Sequence, residues 1–204
     1  MLKNIAISQV MDRIRFENPW WLTGNVDAYF QQMSQRAYFS QFYTLAKDRD
    51  LRRAVVLMGP RRVGKTVMLY HLVQQLLSDG VLPRKILFIT VENPIYNQIS
   101  LDQLFAYGRE AAGERDNLED WFLIFDEIQY LKDWDVHLKS LIDSYRDTKI
   151  IVSGSAAATL LYKSKESGAG RFTDFLLPPL TFFEFITMQN RKHLLLMLII
   201  NLEY

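Results

Sequence analysis

Residues 54–66 read AVVLMGPRRVGKT. The first five, Ala54, Val55, Val56, Leu57 and Met58, form a continuous apolar run, as expected of a strand buried on both faces of a sheet. The next eight are Gly59, Pro60, Arg61, Arg62, Val63, Gly64, Lys65 and Thr66, and they match G-x-x-x-x-G-K-[ST] at every fixed position. Chance alone would place that spacing in roughly one chain of this length in a hundred. Leu69, Leu72, Val73, Leu76 and Leu77 then recur at i, i+3, i+4, i+7 and i+8, one face of a helix. A strand that passes through a glycine loop into a helix turns backbone N–H groups toward phosphate oxygens and aims the helix N-terminus at them. All eight loop residues are therefore candidate nucleotide-binding residues. Lys65 is expected at the β- and γ-phosphates, and the Thr66 hydroxyl on Mg²⁺.

The alternation continues downstream. Gly80 and Pro83 stop the helix. Residues 86–91 (ILFITV), 121–125 (WFLIF) and 149–152 (KIIV) read as further strands, and residues 172–177 as a fifth. Leu101, Leu104, Phe105 and Ala112 suggest one intervening helix; Trp134, Leu138, Leu141, Ile142 and Tyr145 suggest another. Strands separated by helices imply right-handed crossovers and a mainly parallel sheet, so the fold class is α/β. Three segments are expected: an aromatic-rich helical leader over residues 1–53, a core over 54–187, and an apolar tail over 188–204. In the leader, Phe39, Phe42, Tyr43 and Ala46 share a helical face, and aromatics so spaced usually pack against a core.

The third strand ends in Asp126 and Glu127. Carboxylates at the carboxyl end of a parallel strand face the ligand crevice. Sixty residues beyond Thr66, they take on definite roles: Asp126 as a metal ligand, directly or through water, and Glu127 as the catalytic base on a water. The fourth strand ends in hydroxyls. Ser155 is the first candidate to sense the γ-phosphate or the attacking water, and Ser153 the second; a helix N-cap for residues 156–161 is the competing role. Arg171, after Gly168, Ala169 and Gly170, is a candidate arginine finger or an ordinary surface arginine.

Composition narrows the field. The 204 residues contain no cysteine, which excludes disulfides, thiolate metal sites and a cysteine nucleophile. His71, His137 and His193 show no metal-ligand spacing. No guanine-reading Asn-Lys-x-Asp is present, so ATP is the expected nucleotide. The longest apolar run, residues 194–200, is far short of the ~20 residues a bilayer helix needs, and residues 1–10 lack a secretory core, so a cytoplasmic location away from membranes is expected. The net charge of +1 hides an asymmetry, +6 in residues 1–100 against −5 in 101–204. The basic excess centres on Lys47, Arg49, Arg52, Arg53, Arg61, Arg62 and Lys65, which leaves DNA open as an effector.

GPRRVGKT, LIFDEIQ, VSGSA and GRFTDFLLPPLTFFEF together resemble the bacterial and archaeal AAA-type ATPases of the P-loop superclass that carry an Asp-Glu-Ile-Gln Walker B. Gln129, Trp134 and the run Pro179-Leu180-x-Phe182-x-Glu184-Phe185 make the resemblance more specific than the Walker motifs alone. It covers nearly the whole chain. It implies an additional-strand P-loop NTPase core, a three-layer sandwich with a five-stranded sheet in the order 5-1-4-3-2. It also implies Mg²⁺ and ATP as cofactor and substrate, hydrolysis through Glu127, and a stronger case for Arg171. Relatives usually continue into a C-terminal nuclease-like region. Three function classes follow: a nucleotide-driven switch or motor, working alone, with a protein partner or as a homo-oligomer; a non-hydrolysing nucleotide-binding module; and a small-molecule phosphotransferase.

Overall fold

The computed structural model describes residues 6–155 and 170–189. Five strands, β1 (Ala54–Gly59), β2 (Ile86–Thr90), β3 (Phe122–Asp126), β4 (Lys149–Ser155) and β5 (Phe172–Leu176), form one sheet. Every pairing is parallel, in the order β2-β3-β4-β1-β5. That is the expected order seen from the other edge, and the strands fall where the apolar runs predict them.

Helices cover both faces. α1 (Ile7–Glu17), α2 (Trp20–Thr23), α3 (Ala28–Gln31) and α4 (Phe39–Lys47) come from the leader; α5 (Lys65–Ser78), α6 (Leu101–Ala112), α7 (Trp134–Ser144) and α8 (Phe182–Met188) follow. The side chains of one strand alternate between two cores, because successive Cβ atoms point to opposite faces. Val56 and Met58 pack with Ile14 of α1, Phe105 of α6 and Leu141 of α7. Val55 and Leu57 pack with Phe42 of α4 and with Leu69 and Leu72 of α5. A strand read from both sides needs apolar residues throughout, which explains the unbroken AVVLM. The predicted aromatic face of α4 is realised: Phe39, Phe42 and Ala46 are buried.

The leader also closes the β2 edge. Asn18 is buried and behaves like a short piece of strand. Its side-chain oxygen accepts from the Phe88 N–H at 2.7 Å, and its amide donates to Phe88 O at 2.8 Å and to Ile14 O at 2.7 Å. The indoles of Trp20 and Trp21 both donate to Ile86 O, at 3.1 and 2.8 Å. Glu17 accepts from the Thr90 N–H at 3.1 Å. Residues 86, 88 and 90 would otherwise present unpaired main-chain groups along an open edge, a template for strand pairing with another chain.

The expected helix at 156–161, Gly168 and Ala169 with the loop before them, and the tail from residue 190 with His193 lie outside the described residues.

Asn18→Ala removes two β2 partners together. It should cost about 2–6 kcal/mol, read as a lower urea midpoint, since each buried main-chain group left unpaired costs about 1–3 kcal/mol. A loss below about 1 kcal/mol would show that Asn18 is not what satisfies this edge.

Candidate functional site

The phosphate loop leaves the carboxyl end of β1 and enters α5. Its two glycines are required for different reasons. A Cβ on Gly59 would lie 2.6 Å from Leu177 O, because the chain after β5 crosses directly over it. Gly64 faces open space but sits at φ +97°, a backbone conformation that L side chains rarely adopt. Gly64 also supplies no capping side chain at the start of α5, which suits a helix end that meets an external anion. Arg62, at φ 63°, is a second left-handed residue in the same loop.

Lys65 is buried, and its ammonium donates to Gly59 O at 3.3 Å and Pro60 O at 3.2 Å. It lies 3.9 Å from Glu127 Oε1. The Thr66 hydroxyl donates to Asp126 Oδ2 at 2.7 Å. Asp126 is buried at the end of β3, and its other oxygen accepts from the Ser153 hydroxyl. Burial pushes the Asp126 carboxyl above the usual range, opposed by the hydroxyls of Ser153 and Thr66. Such a carboxylate gains from a cation. Paired hard oxygens at 2.7 Å suit Mg²⁺, which typically takes one or two protein ligands and fills its shell with phosphate and water. No group of three or more His, Asp or Glu side chains able to hold a metal occurs among the described residues.

Glu127 turns the chain at φ 55° and ψ 47°, a left-handed conformation costly for a non-glycine residue. Its N–H donates to Ser153 Oγ at 3.1 Å, which helps hold the turn. Gln129 Nε2 donates to Glu127 Oε2, and Gln129 Oε1 accepts from the Ser155 N–H at 3.3 Å. The hydroxyl that joins the two carboxylate residues is thus that of Ser153, the second of the two candidates. Ser155 meets the network through its main chain.

Arg171 is not brought to this site within the chain. β5 runs parallel to β1 with Phe172 opposite Ala54, and Arg171 O accepts from the Ala54 N–H at 3.0 Å. Arg171 therefore lies at the amino end of the sheet, about 20 Å of extended strand from the loop. There it makes a two-pronged ion pair with Asp143, 3.1 Å at each contact. The same geometry divides the basic cluster: Arg61, Arg62 and Lys65 sit at the carboxyl end, Arg49, Arg52 and Arg53 at the amino end. Of the histidines, His71 contacts Phe30 O at 3.1 Å and the edge of Phe39, a packing role.

One residue at the loop carried no motif. Arg36, buried in the leader, donates to Val63 O in the loop at 2.7 Å and to Pro178 O at 2.9 Å. It also forks onto Glu184 of α8 at 2.9 and 3.0 Å. Glu184 closes its own capping box with Thr181, and its carboxyl is held below the usual range by Arg36. The Thr181-x-x-Glu184 spacing was visible in the sequence as a helix start; the arginine that reaches Glu184 from 148 positions away was not. Beside this clamp lies a cleft of about 330 Å³, lined in part by Met33, Val67, Met68 and Leu180.

A glycine loop at the carboxyl end of a parallel strand, with a hydroxyl and two carboxylates converging on it, defines a nucleotide-binding P-loop domain of the α/β class. The chain belongs to the AAA domain family, whose model matches residues 51–186. An uncharacterized protein of Haemophilus influenzae is 29% identical over 158 residues, covering 78% of this chain and 38% of the relative. An uncharacterized protein of Methanocaldococcus jannaschii is 30% identical over 143 residues, covering 68% of this chain and 28% of the relative. The chain thus spans about a third of the length of the curated relatives it matches. No helix among the described residues is long and apolar enough to cross a membrane.

Arg36→Ala should cost about 3–5 kcal/mol, since it strands a buried carboxylate, and should also weaken nucleotide binding through Val63. Chemical denaturation and a fluorescent-nucleotide titration measure the two effects. The Glu184 contribution is present above the ordinary glutamate pKa and is lost as pH falls through its depressed native value. The stability difference between wild type and Glu184→Gln should therefore be largest near neutrality and shrink in acid. A difference that holds constant from pH 7 to pH 3 would contradict the ion pair.

Proposed function

We propose that this domain binds ATP with Mg²⁺ and hydrolyses it, as a nucleotide-driven switch or motor. The observation that carries the reading is the 2.7 Å bond between Thr66 and Asp126, with Glu127 next in sequence and Lys65 3.9 Å from it. The loop N–H groups and the start of α5 receive the β- and γ-phosphates. The Lys65 ammonium, which bonds to loop carbonyls, transfers to phosphate oxygens on the same side of the loop. Thr66 and Asp126 are the residues that would hold Mg²⁺, whose charge would offset that of the phosphates. The cleft of about 330 Å³ beside the loop, apolar on several walls, suits the base.

Glu127 accepts a proton from a water directed at the γ-phosphorus. Gln129 holds one carboxylate oxygen while the other points toward Lys65, so the base is aimed before substrate arrives. As the bond to the leaving ADP oxygen breaks, Lys65 and the loop N–H groups meet the charge on the transferred group. A role for Arg171 in this reading requires a second copy of the chain, since its own loop lies at the far end of β1.

Glu127→Gln should retain nucleotide binding and cut phosphate release by about 10²–10⁴-fold. Lys65→Ala should lower nucleotide affinity itself. Equal, metal-independent phosphate release from wild type and Glu127→Gln would sink the assignment.

A further inference from the structure

The carboxyl end of the sheet accounts for Arg61, Arg62 and Lys65. It leaves Arg52 and Arg53 unexplained, and these meet Arg146 and Arg171 at the opposite end. A cleft of about 440 Å³ opens there, beside the start of β1. Its charged walls are Arg52, Arg53, Arg146 and Arg171 against the single carboxylate Asp143, a local net of +3 in a chain whose total is +1.

The pairing within the cleft is uneven. Asp143 is committed to Arg171. Arg52, Arg53 and Arg146 are exposed, and none forms an ion pair or side-chain hydrogen bond among the described residues. Nearby Arg49 is occupied differently, bonded to Asp120 O and Asp147 O at 3.0 Å each and paired with Asp120. Three guanidinium groups around one concavity, unpaired among the described residues, repel each other, and a compact anion relieves that repulsion. Guanidinium forks match phosphate oxygens two at a time. The half-buried ring of Tyr145 stands on the same wall, braced edge-to-face by Phe105 at a centroid distance of 5.0 Å. A fixed aromatic beside phosphate-binding groups suits a base or sugar next to the phosphate.

We propose that this amino-end cleft is a second anion site, distinct from the phosphate loop, that takes phosphate groups carried either by a single-stranded nucleic acid or by a free polyphosphate. The adjoining cleft shares Arg52 and Arg146 but also carries Asp50, Asp120 and Asp147, so an anion is favoured on the Arg53 and Arg171 side of the two shared arginines.

Two probes separate the sources: a fluorescein-labelled 20-nucleotide oligothymidylate, followed by anisotropy, and inorganic tripolyphosphate, followed by calorimetry. Both are measured in a Lys65→Ala background, so that the phosphate loop contributes little, and thermal melts check that each variant is folded. Arg52→Gln and Arg146→Gln should each weaken binding several-fold, and each should flatten the salt dependence of oligonucleotide affinity by about 0.7 in log–log slope. Asp143→Asn, which removes the opposing charge, should tighten binding. Oligonucleotide binding with this pattern assigns the polymer, and the pattern with tripolyphosphate alone assigns the free anion. If neither probe binds at low salt, or binding is unchanged in both arginine variants, the site does not exist.

Discussion

The Thr66 hydroxyl stands in the first turn of α5, just past the loop that leaves β1, and Asp126 stands at the end of β3, two strands from β1. Their 2.7 Å contact is the constraint on which the site depends. It requires β4 to lie between the two motif strands, in parallel and in register. Val55 lies opposite Ile151, and Ile124 opposite the same residue from the other side. With that register, Ser153 of β4 arrives between the two ends and bonds to both Asp126 and the Glu127 main chain. A one-residue slip of β4 would turn Ser153 to the other face and put an apolar neighbour in its place. The ends of β3 and β4 and the start of α5 are thus locked by hydroxyl and carboxylate hydrogen bonds. Costs such as the left-handed Glu127 and the buried Asp126 are held by this lock rather than avoided.

The leader contributes in two ways that its composition does not announce. Aromatic residues supply apolar bulk under α5, while Asn18, Trp20 and Trp21 use their polar atoms to end the sheet at β2. Arg36 then ties the phosphate loop to α8. Leader, loop and α8 share one buried ion pair, so a change in any of them is felt at Val63. This coupling is structural, and it rests on a charge pair whose value lies in not being broken.

Length scale explains the fate of the two arginine readings. A basic run from Lys47 to Lys65 looks like one patch when written as a line. An extended strand of six residues inside that run puts its halves about 20 Å apart, beyond the screening length at physiological salt. The same displacement carries Arg171 away from the loop, because β5 starts level with Ala54.

The sequence by itself determined the parts of this protein whose cause is local. A continuous apolar run, a glycine spacing that admits phosphate, a 3.6-residue apolar period and carboxylates at a strand end each express short-range chemistry, and all five strands and the loop were legible from them. The strand order came through resemblance rather than from any residue pattern. Only the tertiary structure decided which serine joins the carboxylates, that Arg36 clamps the loop, that Asn18 finishes an edge, and that Arg171 lies at the wrong end of β1 to act within its own chain. Each of those depends on partners 26 to 148 positions apart. Such pairings are set by strand register and helix packing, and a single side chain has no local signature for a partner that only the fold brings near.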